Sequence, residues 1–237
     1  EGSIPSETKL LSNISRKILK NENTTLILGL LRTDEKKVFN SLVFLNFKGD
    51  VVYSYDKIKL VPFGEYIPFR QYLGSLTDML APKDFISGKL KSNPTIYGFE
   101  NIITLICYEI LFTNEIVRRL SKNTNLLINI TNDAWFGKTI GPYQHLALAK
   151  IKAVEFGLPL ARVANTGISA YISPYGEIIG KIPLDNKGVK TFDLIPSLNS
   201  TLYKIYGEYI FIVLILILLV INTVYNLNSG EEKLNEK

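Results

Sequence analysis

The residues able to do chemistry in this sequence are few and fall at the ends of apolar runs. Cys107, the only cysteine among 237 residues, closes the run NIITLI in the string ICYEI. A thiol where a strand ends and a helix opens lies against unpaired backbone N–H groups and the positive end of the peptide dipoles. Both favour a thiolate, and the N–H groups can also hold an oxyanion. The same position suits a small apolar atom in a core, because free cysteine is among the most buried residue types. A nucleophile needs a base. His145, the only histidine, sits in an amphipathic segment and reads as a structural or capping residue. The other strand ends supply better groups, Glu1 in EGSIP and Lys57 in YDKIKLVPFGEYIPF. A buried glutamate of raised pKa can take a thiol proton, and a lysine beside it can hold the charge of a tetrahedral intermediate.

These groups have to be positioned by an α/β framework. LLSNISRKILKN (10–21) has helical spacing, while TTLILGLL (24–31) and SLVFLNF (41–47) read as buried strands. A Lys48-Gly49-Asp50 turn then returns into VVYSY (51–55) as a hairpin. Further on, ENIITLICY (100–108) predicts a strand, EILFTNEIVRRLSK a helix, NLLINIT (125–131) a strand and PYQHLALAKIKAVEFG (142–157) an amphipathic helix. LARVAN, GISAYIS, EIIGKIP and GVKTFDL predict four short strands separated by turns. The alternation gives one α/β domain with a mixed sheet or a pair of sheets. Gln71 to Pro94 is too long for a plain connection and reads as an excursion or lid. Asn132, Asp133 and Trp135 in TNDAWFG follow a strand end, as groups that bind a substrate or as a tight turn with Trp135 for a plug.

From Tyr209 the chain reads YIFIVLILILLVINTVY, 17 residues without a charge. At about 1.5 Å per residue this covers most of a hydrocarbon core about 30 Å thick. It predicts a transmembrane helix over 205–226, with Tyr203, Tyr206, Tyr209 and Tyr225 as interfacial anchors, between a globular domain (1–204) and a polar tail (227–237). The alternative is a buried core helix. The formal charge is +5; from Glu208 onward four Glu face two Lys, leaving +7 on what precedes. The basic residues are scattered and no motif interleaves them with aromatics, so no nucleic-acid partner is expected. The first residue is Glu1 and the only methionine is Met79, so the sequence is expected to have lost its natural start.

The strings YDKIKLVPFGEYIPF, ICYEILF and TNDAWFGKTIGPYQHLALAKIKAVEFGLPLARVANTGISAYISPYGEI, in this order, resemble the nitrilase or carbon–nitrogen hydrolase superfamily and, within it, the apolipoprotein N-acyltransferases. The resemblance runs from Glu1 to the C-terminal helix and lacks that family's N-terminal membrane spans. It implies a nitrilase-like αββα sandwich followed by one transmembrane helix. It assigns the nucleophile to Cys107, the catalytic lysine to Lys57 in preference to Lys59, and the general base to Glu1, with Glu7 as the alternative. Glu65 in LVPFGEY, Tyr108 and Glu109 are implied as supporting residues; Arg162 and Asn165 in ARVANTG read, from the residues themselves, as braces of the site or the sheet. The activity implied is transfer of a fatty acyl chain from a phospholipid, through a cysteine thioester, to the amine of a diacylglyceryl apolipoprotein. It needs no metal and no organic cofactor. The implied location is the bacterial inner membrane, with the catalytic domain facing the periplasm. An amidase or nitrilase acting on a small substrate, and a membrane-anchored domain without catalysis, are the competing readings.

Overall fold

Alternation along one strand decides the layering. Strand β2 (Lys37–Leu45) sends Leu42 and Phe44 to one side and Val43 and Leu45 to the other, and all four are fully buried. A strand buried on both faces must lie inside a sandwich of layers. Leu42 and Phe44 pack with Tyr55 against Ile106 and Ile128 of a second sheet and against Ile102 and Leu126, which lead into its strands. Val43 and Leu45 pack against Leu11 of helix α1 (Glu7–Ile18). The computed structural model describes residues 7–35, 37–73, 84–96 and 99–235.

The first sheet is antiparallel, in the order β1 (Leu26–Asp34), β2, β3 (Val51–Asp56). The second runs in sequence order: β4 (Ile103–Ile106), β5 (Leu127–Thr131), β6 (Leu160–Ala164), β7 (Ser169–Ile172), β8 (Ile178–Ile182). Its first three strands are parallel and its last two antiparallel. Parallel neighbours need crossovers. A 3-10 turn (Cys107–Leu111) and helix α3 (Thr113–Val117) join β4 to β5, and helix α4 (Gly141–Phe156) joins β5 to β6. A four-residue helix α2 (Arg70–Leu73) precedes them in the chain. Leu146, Ala149, Ala153 and Phe156 of α4 cover Ile103, Leu105, Leu127 and Leu160. The layers are therefore helix, sheet, sheet, helix, the α/β sandwich that the motifs imply.

Several elements depart from expectation. The helix expected from Glu109 is a 3-10 turn that breaks at Phe112 (φ −89°, ψ 94°) before α3 resumes, because the Glu109 side chain turns inward. GVKTFDL forms no strand. Side chains anchor it instead: Phe192 stacks on Tyr171 with ring centroids 5.2 Å apart, and the Ile195 N–H donates to the Tyr171 hydroxyl at 2.9 Å. Of the expected excursion, 74–83 lie outside the described residues. The part from Asp84 onward is tied down: the Phe85 N–H donates to the Glu65 carbonyl, the Ile86 N–H to Val38 and the Gly88 N–H to Lys57, each at 2.8 Å.

At the C-terminus Gly207, at φ 54°, separates α5 (Leu202–Tyr206) from α6 (Tyr209–Asn235). Residues 211–225 of α6 are exposed on every side, so this is not a buried core helix. Among the described residues no helix is long and apolar enough to cross a membrane.

Candidate active site

Three strand ends meet at one edge of the sandwich. Just past β3, Lys57 is buried, its side chain 1% exposed, and its ammonium donates to both oxygens of Glu65 at 2.8 and 2.7 Å. Glu65 also accepts the Asn40 amide at 3.0 Å and the Val61 N–H at 2.8 Å. One carboxylate thus closes the 61–65 turn and holds the lysine. Lys59 points elsewhere, half-exposed and 3.8 Å from Glu115.

Past β4, Cys107 adopts φ 53°, in the left-handed region. For a residue with a Cβ this costs about 1–3 kcal/mol, and it persists only where the surroundings impose it. The thiol is free and partly exposed. Cys107 packs with Ile58 against the inter-sheet core, bringing the two strand ends together.

Glu109 fastens them. It is fully buried, and its Oε1 accepts the Tyr55 hydroxyl (2.9 Å), the Ile58 N–H (2.7 Å) and the Lys59 N–H (3.1 Å). Its Oε2 accepts the Ile106 N–H at 2.8 Å. Burial pushes the Glu109 carboxyl above the usual carboxylate range, against the pull of its backbone donors and of Arg119. Tyr108, 41% exposed, meets Phe112 edge-on at 5.4 Å.

Past β5 the three expected binding residues divide. Trp135 is 76% exposed, so it plugs nothing. Asn132 is exposed, accepting the Ala134 N–H at 3.2 Å and the Asn165 amide at 2.6 Å. Asp133 has no surface to offer a substrate, since its side chain is 0% exposed. It takes the Thr131 hydroxyl (3.0 Å), His145 Nδ1 (2.9 Å) and Arg162 Nη2 (2.7 Å). Burial works to raise this carboxyl, but His145 and Arg162 outweigh it and hold it below the usual range. Of the structural and capping roles expected for His145, the geometry is the structural one: it is a buried partner of Asp133. Glu1, the expected base, lies outside the described residues, as does the side chain of the alternative, Glu7.

Asn40, Tyr55 and Asn129 join this network although nothing in the sequence reading singled them out. The signal for the two asparagines was present. Each is a lone amide inside an apolar strand, in VFNSLVF and LINIT, where a buried polar side chain must find a partner.

The arrangement offers a desolvated cation, a strained thiol and main-chain donors at one edge, the parts needed for attack on a carbonyl. Residues 7–200 match the carbon–nitrogen hydrolase family. An apolipoprotein N-acyltransferase of Allorhizobium ampelinum is 40% identical over 184 residues, 73% of this chain and 35% of the relative. One from Bradyrhizobium diazoefficiens is 35% identical over 197 residues, 79% and 36% of the two chains. The chain spans about a third of the length of these curated relatives. Among solved structures, an amidase from Nesterenkonia sp. AN1, with the acetamide moiety of fluoroacetamide covalently added at its active-site cysteine, superposes with a TM-score of 0.56. That match covers 78% of this chain and 65% of the amidase at 19% identity, a likeness of fold.

Proposed function

Because the chain belongs to the carbon–nitrogen hydrolase family, we propose that it is the catalytic part of an apolipoprotein N-acyltransferase working through a thioester on Cys107. The observation that carries this reading is the buried Lys57–Glu65 pair fastened by Glu109 to the turn that bears Cys107. The curated relatives of the same name support the choice of acceptor.

In the first half-reaction Glu1 takes the Cys107 proton and the sulfur attacks the carbonyl carbon of a phospholipid ester. Lys57 and N–H groups of the Cys107 turn hold the oxyanion. The C–O bond then breaks, lysophospholipid leaves with the proton, and a thioester remains. In the second, the free α-amine of a diacylglyceryl-cysteine attacks that carbonyl. The C–S bond breaks, an amide forms, and the amine's surplus proton returns the thiolate to thiol. Asp133 serves from beneath, through Arg162, while Asn132 and Trp135 face outward where a substrate would lie. Both lipids reside in a bilayer, which agrees with an α6 whose apolar residues from Phe211 to Tyr225 are all exposed. We assign α6 to the inner membrane, with the sandwich on the periplasmic side.

The test is mass spectrometry of the chain in detergent with a phospholipid donor, beside Cys107→Ala. A hydroxylamine-sensitive acyl adduct on Cys107 that disappears when a diacylglyceryl peptide is added is the expected result. No adduct on a folded chain, or ammonia release from small amides without any lipid, would overturn it in favour of an amidase.

A further inference from the structure

Cys107 stays at φ 53° only where its surroundings impose it, and Glu109, which takes the Ile106 N–H just before it, is one of two side chains that grip this main chain. The Asn129 amide reaches across from β5 and donates to the Cys107 carbonyl at 3.1 Å and to the Leu105 carbonyl at 3.3 Å. One side chain thus grips the main chain at Cys107 itself and two residues before it. An amide can do so only if its oxygen faces the other way, and Arg162 enforces that. The guanidinium is a pure donor, and its Nη1 meets Asn129 Oδ1 at 2.5 Å. Asn129 and Arg162 are register partners on β5 and β6, so the contact is built into the sheet. Arg162 is aimed in turn by Asp133, which Thr131 and His145 hold from the other side.

Arg162 is an expensive way to fill this space. It is 1% exposed, and its Nε–H is buried without a partner among the described residues. A buried, incompletely satisfied guanidinium costs stability, which an apolar residue of similar volume would avoid. The same holds for His145, whose Nε2 is buried and has no partner among the described residues. The cost is understandable if the network exists for what it positions.

We propose that Asn129 and Arg162 are positioning residues for the nucleophile: Arg162 fixes the orientation of the Asn129 amide, and Asn129 clamps the Cys107 carbonyl so that the sulfur and the N–H groups of the turn address one carbonyl together. This deepens the thioester reading and rests on Cys107 being the nucleophile. Asp133, Thr131 and His145 act one step further back, by holding Arg162.

The test compares two reactions of the same thiol in the full chain. Acylation by a p-nitrophenyl acyl ester needs the sulfur aligned with the oxyanion donors, whereas alkylation by iodoacetamide needs only a thiolate. Asn129→Asp keeps the shape and the acceptor for Arg162 but removes both donor hydrogens. Acylation should fall by about a hundredfold, the scale of a 1 Å misplacement, while alkylation falls far less. Arg162→Lys, which keeps the charge but loses the fork, should give a smaller loss with the same imbalance. If Asn129→Asp does not melt cooperatively, Asn129→Thr, uncharged and without the amide, asks the same question.

Loss of both rates in equal proportion would assign the network to stability or charge alone and overturn the proposal, as would two unchanged rates. A wild-type chain that is alkylated but never acylated would sink the nucleophile reading itself, and the clamp with it.

Discussion

Glu109→Gln is the most informative single change, because one carboxylate joins the Lys57 strand end to the Cys107 turn. Glu109 Oε1 accepts from Tyr55, Ile58 and Lys59, and Oε2 from Ile106. An amide oriented to keep the first three bonds turns its NH2 toward the Ile106 N–H, setting donor against donor. One charge-assisted bond worth about 1.5–3 kcal/mol is lost, and a buried N–H is left unpaired at about 1–3 kcal/mol. Relief of a buried charge offsets part of this, leaving a loss of about 2–4 kcal/mol. For a domain of this size that lowers Tm by roughly 5–15 °C. The pH dependence has a definite sign. Burial raises this carboxyl in the folded chain, so above the unfolded value of about 4.3 the folded state holds the proton longer. Stability from this residue is therefore greatest in acid and declines as pH rises toward the folded value. Glu109→Gln removes that decline. Thermal melts across pH and acylation by an activated ester check both parts, and the rate should fall about tenfold or more as Ile106 is released. A variant with the wild-type melting curve at every pH and the wild-type rate would refute the fastening role.

Two further outcomes follow from the same edge of the sandwich. Cys107→Gly should be more stable than Cys107→Ala by about 1 kcal/mol, since only glycine takes φ 53° freely; denaturant titration of the pair reads this, and equal midpoints would mean no strain at the nucleophile. Glu65→Gln leaves the Lys57 ammonium buried without its counter-charge and should cost about 3–5 kcal/mol. Lys57→Met placed in that background should recover most of the loss, and a double variant no more stable than Glu65→Gln alone would show that the charge is not what matters.

Legibility differed between levels for physical reasons. The continuous apolar runs in SLVFLNF and NLLINIT carry the burial of both sheet faces, because a strand covered on both sides needs apolar residues at successive positions. The strings around Lys57, Glu65 and Cys107 are local and could be read as such. The Asn129–Arg162 contact was not legible, since the residues lie 33 positions apart and meet only through the pairing of β5 with β6. Asp133 misled because an acidic residue in a polar turn normally faces water, whereas here Arg162 and His145 draw it inward. GVKTFDL has strand composition, but composition does not supply a neighbour to pair with. Instead, its Phe192 packs on Tyr171.

A thioester on Cys107 would serve hydrolysis as well as transfer, so the chemistry of the thiol cannot select between the two. Access of water must. The loops leaving the strand ends carry Phe63, Phe69, Trp135 and Ile140, exposed by 77, 76, 76 and 66%. Each large apolar side chain left in water forgoes about 1.5–3 kcal/mol relative to burial, so side chains like these around the edge favour a cover. A lipid phase would provide one, and α6 presents the same kind of surface from Phe211 to Tyr225. In the proposed transfer, covering that rim would shield the thioester from water at the edge that bears Cys107. On this reasoning, coverage of the rim and protection of the thioester are a single event. Hydrolysis, whose second substrate is water, has no need of such cover.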